Sequence, residues 1–389
     1  PTGWERWRKG PLAVPGSVQA VLNRRLDRLS DGCRHTLIQA SVMGQEFDFD
    51  VLKGLVGLDD ERLLDLLDEA LEARLVDEIV LAKGEVYRFH HAMIARVLCR
   101  RLSSRRQALL HRRIGRIMES LYAGDLAARA DELAYHFFRG ARAERGRQEA
   151  LRYSLLAAKR AAGVYANQEA VRHYRRALSL LQGGQAARRL EILEQLADVY
   201  ATLEPREAVP LYEEALALWR EMQEDRIVGV RLHRKLVDLA VAWAVVLDLP
   251  YDQKRIQTLI EAGLELLEDE PSACIERLRL LLGWAWNARD PEIARQRAEE
   301  AMALAERLGA ISELAEALDR LEWLHRERGE LCQASDLLCK YLEEIERKAG
   351  LQKRAEIHRM LGQLLGFMGE YPKAIEYLKL ARQEYEQAG

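Results

Sequence analysis

Two histidines and a run of arginines are the residues of this chain best placed to do chemistry. His90 and His91 follow a short apolar stretch, Val86 to Phe89, and open a helical pattern; from Arg88 to Arg116 every charged side chain is Arg or His. Two chemistries fit. A basic helix can track the phosphates of a nucleic-acid backbone. Alternatively, an imidazole at a helix start is a short, rotationally restricted donor backed by the positive end of the helix dipole, which suits the phosphates of a nucleotide held by a neighbouring domain. A blander reading stands beside both: a capping or half-buried His pair, with the arginines on a solvated or interdomain face.

Elsewhere the chain offers no catalyst. GxxxxGK[ST], HExxH, paired CxxC and GxSxG are all missing, so no catalytic residue, metal site or resident cofactor is expected. The five cysteines are scattered, and an odd count without a signal peptide reads as reduced thiols in a cytoplasmic protein. The longest apolar run, Leu239 to Leu247, is too short to span a bilayer and reads as a buried helix. A net charge of −3 gives no global attraction to nucleic acid. The chain starts at Pro1 rather than Met, and residues 1–15, rich in Pro and Gly, read as a connector from a larger protein.

Helical periodicity starts after Ser17, a potential N-cap for a helix with Val18, Val21, Leu22 and Leu26. A second helix runs from Asp31 to Val42 and stops before Gly44. Asp48 or Asp50 can cap a short helix ending at Gly57, and Asp59 to Ala73 carries Leu63, Leu64, Leu67 and Leu71 on one face. The pattern then turns to β at Leu75 to Leu81 and Val86 to Phe89. Helices, one hairpin and a further helix is the order of a winged-helix domain. Its presumed recognition helix, Asp59 to Ala73, is acidic and would be repelled from a major groove, so DNA binding is not expected.

Further on, a repeat appears. Ala294, Ala334 and Ala374 are forty residues apart, Gly329-Glu330 and Gly369-Glu370 keep that offset, and units end at Gly309, Gly350 and Gly389. AVRHYRRALSLL at Ala170 and AVPLYEEALALW at Ala208 share Ala, then Tyr four residues on, then Ala three later. Small residues at such positions let antiparallel helices approach closely, as in tetratricopeptide pairs, with units longer than the usual ~34 residues. The first helix of each pair lines the concave face, which places Arg279, Trp286, Asp319, Trp323, Arg326 and Arg359 there. Trp and Arg often anchor interfaces, and together they suit a peptide, an acidic protein segment or an anionic metabolite. The competing reading puts the Trp side chains in the core between repeats; Trp243 and Trp284 are assigned to core.

The run VPGSVQAVLNRRLDRLSDGCRHTLIQASVMGQEFDFDVLKGL, then LLDLLDEALEARLVDE, then YRFHHAMIARVLCRRLSSRRQALLHRRIGRIMESL resembles the winged-helix segment that follows the ATPase core of bacterial STAND proteins, the signal-transduction ATPases with numerous domains. The maltose-regulon activator and LuxR-type and cyclase-linked regulators belong to this family. The resemblance implies an all-α fold apart from one small β-hairpin wing: a connector at 1–15, a winged-helix domain at 16–121, a helical arm at 122–150 and a right-handed tetratricopeptide-like superhelix at 151–389. It implies that His91 senses the phosphate of ADP, with Ala92 standing where the related immune-receptor motif has Asp. It further implies an inducer (protein, peptide or small molecule) on the superhelix and, in cis, an ATPase core binding ADP or ATP. Two alternatives remain open: a constitutive tetratricopeptide scaffold, and a winged-helix transcription factor with a repeat-built oligomerisation domain.

Overall fold

Side-chain caps mark where the first helices begin. Ser30 accepts from the Cys33 amide at the head of α1 (Asp31–Ala40). Asp48 ends a short strand, β1 (Glu46–Asp48), and accepts from the Val51 amide at 3.2 Å to start α2 (Phe49–Val56). Asp59 does the same for α3 (Asp60–Glu72). Such a cap satisfies an amide that the helix cannot, contributing about 1 kcal/mol. The computed structural model describes residues 22–81, 84–141, 144–222, 225–243, 251–267 and 274–388. The expected connector, the Ser17 cap with Val18 and Val21, the turn residues Ala82 and Lys83, Gly389 and the later part of the apolar run after Trp243 lie outside them.

Strands β2 (Val76–Leu81) and β3 (Gly84–Phe89) form the expected hairpin, but the sheet has three strands in the order β1-β3-β2, all antiparallel. Phe47 pairs with Tyr87 and stacks on it at 5.9 Å. A strand of three residues is too short to show alternation, so it escaped the sequence pattern. The apolar face of α3 is also corrected: Leu63, Leu66, Leu67 and Ala70 are buried, whereas Leu64 is exposed. After the sheet come α4 (Ala92–Arg100) and α5 (Ser104–Leu121). One core gathers Leu26, Leu37, Leu52, Leu67, Phe89 and Leu98.

Three more helices complete this part of the chain: α6 (Ala130–Gly140), α7 (Glu144–Gly163) and α8 (Asn167–Leu180). They share a second core with α2 and α5, in which Val51 and Leu55 meet Ile114, Phe137 and Tyr153. Between α5 and α6 lies a buried His pair, with Nδ1 of His111 3.0 Å from Nδ1 of His136. Burial lowers both, His136 to about 3 and His111 well below its ordinary value.

The chain divides into two compact units, Pro1–Gly183 and Gly184–Gly389. The second is built of helix pairs: α9 (Ala186–Leu203) with α10 (Pro205–Met222), α11 (Arg226–Trp243) with α12 (Gln253–Glu265), α13 (Ile275–Asn287) with α14 (Pro291–Leu308), α15 (Ile311–Glu327) with α16 (Leu331–Lys348), and α17 (Leu351–Phe367) with α18 (Tyr371–Ala388). Ala294, Ala334 and Ala374 are all buried, as are Ala208, Tyr212 and Ala215 of α10. Gly329 and Gly369 adopt φ of 74° and 81° between the helices of their pairs, a conformation that glycine reaches without strain. Gly350 lies between two pairs, where a unit was expected to end, as the extended N-cap residue of α17. Trp243, expected in the core, is 40% exposed. Trp284 is half-buried beneath the Arg297 guanidinium at 4.2 Å. No described helix is long and apolar enough to cross a membrane.

Two measurements test this packing. A Cβ at Gly229 would stand 2.3 Å from the Trp219 ring, whereas one at Gly366 meets nothing within 4 Å. Gly229→Ala should therefore cost about 1–3 kcal/mol, and Gly366→Ala should gain up to about 1 kcal/mol from helix propensity. Thermal melts that moved both variants the same way would contradict the geometry.

The His pair makes the fold acid-sensitive. Both groups are lowered on folding, so their contribution is complete above the unfolded value of 6.5 and is lost as pH falls toward about 3. The loss approaches about 1.4 kcal/mol per pH unit for each histidine. Urea midpoints should fall between pH 7 and pH 5.5, and less steeply in His136→Gln; parallel profiles for parent and variant would rule the pair out as the cause.

Candidate ligand groove and an exposed histidine

In the second unit, the first helices of successive pairs meet side by side, α11 on α13, α13 on α15 and α15 on α17. Charge joins them. Arg231 of α11 donates from Nε and Nη2 to the two carboxylate oxygens of Glu194 on α9, at 2.6 and 2.9 Å. Lys235 adds bonds to Glu194 and Asp198 at 2.8 and 2.6 Å. Burial works against the Glu194 charge, but these hydrogen bonds outweigh it and hold the carboxyl below its ordinary value. Arg234 pairs with Asp238 on its own helix and with Glu276 on α13. Arg279 then reaches Glu313 of α15, with Nε and Nη2 at 3.0 and 2.8 Å.

Between α11, α13 and α15 these residues leave a cleft of about 460 Å³, lined by Arg234, Asp238, Arg279, Trp286, Glu313 and Glu316 among others. Its volume falls within the range of small-ligand sites. Asp238 and Glu316 remain open to solvent, yet the walls crowd their carboxyls and raise both above the ordinary range. Asp319 is raised too, by burial, against the opposing pull of Arg359. Glu322 is 2% exposed, and burial lifts its carboxyl; its Oε1 has no hydrogen bond among the described residues, with Arg326 Nε at 3.8 Å.

The six residues expected on the concave face thus separate into two sets. Arg279 is spent on Glu313. Trp286 and Trp323 are joined by a residue that the sequence reading passed over: the Arg320 guanidinium lies 4.9 Å from the Trp286 ring and 4.6 Å from the Trp323 ring. Arg326 sits over Phe367, also unforeseen, at 5.6 Å. Arg359 bonds Gln363 on its own helix at 2.9 Å, and Asp319 has no ion pair among the described residues. The signal for Arg320 was available in the repeat, since Leu280 and Met360 stand forty residues to either side.

In the first unit, the two histidines have different surroundings. His90 Nδ1 is 2.9 Å from Asp77 Oδ2. His91 is exposed at the N-cap position of α4, and its side chain makes no capping bond. It touches the His90 ring edge-on at 4.7 Å. Of the arginines that follow, Arg112 and Arg116 pair with Glu149 at 3.6 and 3.1 Å, and Arg113 bonds the Leu55 carbonyl at 3.0 Å. Arg96, Arg100, Arg105 and Arg106 carry no ion pair among the described residues. No cluster of three or more His, Cys, Asp or Glu residues among the described residues could hold a metal ion.

No family model and no curated protein matches the chain. Among solved structures it is similar to the apo form of RapI, at 12% identity over 95% of this chain and 98% of that one, with a TM-score of 0.50. It is also similar to a STAND protein with a tetratricopeptide repeat sensor from Pyrococcus horikoshii, at 13% identity, covering 94% of this chain and 52% of that one, with a TM-score of 0.41. BtubC from P. vanneervenii matches at 18% identity over 61% of this chain and 92% of that one, with a TM-score of 0.45. The chain therefore spans about half the length of the Pyrococcus protein. At these identities the likeness is one of fold, a helical repeat.

Trp323 is 37% exposed, and this sets the consequence of removing it. A core Trp cut to Ala costs about 3–5 kcal/mol, so Trp323→Ala should cost roughly half as much. A chemical-denaturation curve showing the full core penalty would return this side chain to the interior.

Proposed function

We propose that this chain is the regulatory and inducer-sensing part of a cytoplasmic STAND-type signal-transduction ATPase. In this reading residues 16–121 are the winged-helix domain, 122–150 the arm and 151–389 the sensor. The inducer lies on the concave face of the repeats and the winged helix couples its arrival to ADP/ATP exchange and oligomerisation in an ATPase core supplied in cis. The sequence resemblance around His91 motivates the assignment. The observation that carries it is the distribution of charge in the groove: Arg231, Arg234 and Lys235 of α11 and Arg279 of α13 are committed to Glu194, Glu276 and Glu313, while among the described residues Asp319, Arg326 and Arg359 make no hydrogen bond or ion pair to a neighbouring helix. Groups not paired with a charge on the next helix, together with the partly exposed indoles of Trp286 and Trp323, are what a ligand would engage.

For the nucleotide, the surroundings of His91 fit a phosphate. Asp77 occupies His90, which leaves His91 as the imidazole free to donate, at the positive end of α4. A bound ADP would come from the core, and this chain would contribute one donor to its phosphates.

A second reading, a scaffold that docks proteins without a nucleotide switch, has one observation in its favour. Phe367, Tyr371, Ile375, Leu378 and Tyr385 are all exposed on α17 and α18. DNA reading is disfavoured, because α3 presents Asp60, Glu61, Asp65, Asp68 and Glu72 to solvent.

In the full-length protein, His91→Ala should speed ADP release roughly tenfold to a hundredfold, since a hydrogen bond to a charged group contributes about 1.5–3 kcal/mol. Activity without inducer should rise, because the lost contact belongs to the resting state alone. Release at the parent rate with a silent output would remove His91 from the switch. Trp323→Ala combined with Arg326→Ala should abolish the inducer response and leave ADP retention intact; an undiminished response would remove the groove.

A further inference from the structure

Arg320 breaks the repeat. Its equivalents Leu280 and Met360 are apolar and buried, and they show what this position ordinarily requires. Arg320 is enclosed as well, at 6% exposed, yet it brings a full charge into the seam between α13 and α15. A buried guanidinium ordinarily has a carboxylate partner, because an uncompensated buried charge is strongly unfavourable. Among the described residues Arg320 has none. Its one hydrogen bond runs from Nε to the Ala285 carbonyl at 2.9 Å. Burial pulls the guanidinium below its ordinary value, and Asp319, the adjacent residue on the helix, offsets this in part.

What surrounds the group is suited to holding it still. The indoles of Trp286 and Trp323 lie within 5 Å of the guanidinium carbon, at 4.9 and 4.6 Å, and the carbonyl of Ala285 takes the Nε–H. The Nη1 and Nη2 groups remain without a protein acceptor among the described residues. Trp286 lines the cleft and Trp323 is partly exposed, so the two rings that hold the guanidinium adjoin open space, while Arg320 itself is nearly enclosed.

We propose that Arg320 is the anion receptor of this groove and that the inducer presents a carboxylate to it. This rests on the sensor reading given above. A carboxylate matches the paired Nη groups in one plane, and a fixed guanidinium loses little further freedom on binding. Glu313, Glu316, Asp319 and Glu322 on the same helix disfavour a dianion such as phosphate far more than a single carboxylate. The carboxylate can belong to an acidic peptide segment or to a small free acid; the recognition chemistry is the same.

The test follows tryptophan fluorescence of the purified chain during titration with butyrate, with the blocked pentapeptide acetyl-Ala-Ala-Glu-Ala-Ala-amide and with inorganic phosphate, in the parent and in Arg320→Leu. A saturable response to a carboxylate probe should weaken about tenfold or more in the variant, the loss expected for a charge-assisted bond. Arg320→Leu carries the side chain of position 280, so it should melt at or above the parent temperature, having lost an uncompensated buried charge. Preference for the pentapeptide assigns the carboxylate to a peptide, and preference for butyrate to a small acid. The proposal is overturned by the absence of a saturable carboxylate response in the parent, by equal responses in parent and variant, by tighter binding of phosphate, or by a melting temperature lowered by more than about 5 °C, the mark of a structural brace. Should Arg320→Leu behave like the parent while the Trp323 and Arg326 double variant loses its inducer response, the groove stands and the carboxylate receptor falls. Loss of neither removes both.

Discussion

Ala294, Ala334 and Ala374 are buried in the second helices of three successive pairs, at a spacing of forty residues. A methyl group at each of these points lets the backbones of a pair come close, and the larger side chains are then forced outward to fill the space between pairs. Leu278, Leu314, Leu318, Leu338 and Ile357 do this in one continuous cluster. Close pairing also brings the first helices of neighbouring pairs side by side. Any charged residue repeated along those helices must then face its counterpart on the next one, so the groove is a consequence of alanine packing.

Where charges face each other at such short range, sign decides what remains. Glu194 faces Arg231 and Lys235, Glu276 faces Arg234, and Glu313 faces Arg279. Partly exposed pairs of this kind contribute at most about 1 kcal/mol each, so the apolar seam carries the stability. Their effect is on recognition: a cation committed to a neighbouring helix is poorly available to a ligand. From α9 to α13 the groove is largely self-neutralised, and the uncommitted groups gather on α15 and α17.

The first unit is organised by short polar contacts at the ends of its elements. Asp48 closes β1 and caps α2, and its second oxygen accepts from the Tyr122 hydroxyl at 2.8 Å, tying the sheet to the end of α5. Asp77 on β2 occupies His90. As a result two adjacent histidines, chemically identical in the sequence, differ in availability. The same economy governs the arginine run: Glu46 draws on Arg88 and Glu149 of α7 on Arg112 and Arg116, while Arg96, Arg100, Arg105 and Arg106 have no ion pair among the described residues.

Much of this was legible from residue order alone. Period and helix ends are local properties: Ala at forty-residue spacing, Gly329 and Gly369 between helices, Asp48 and Asp59 as caps and the β2–β3 hairpin all follow from neighbours within a few residues. The expectation that Trp286, Trp323 and Arg326 line the concave face was drawn from the same period. The three-residue β1 was not legible, because a strand so short exists only by pairing with β3. Nor was the partnership of each charge, since Arg279 and Glu313 or Glu194 and Arg231 meet only when helices from different pairs are stacked. Trp243 stood in an apolar run and still reached solvent, because burial depends on what packs against a side chain and not on its neighbours in sequence. For Arg320 the sequence held the anomaly, an arginine between Leu280 and Met360. Only the tertiary structure supplied the two indoles, the carbonyl and the missing carboxylate, because burial and partnership are set by residues far apart in the chain.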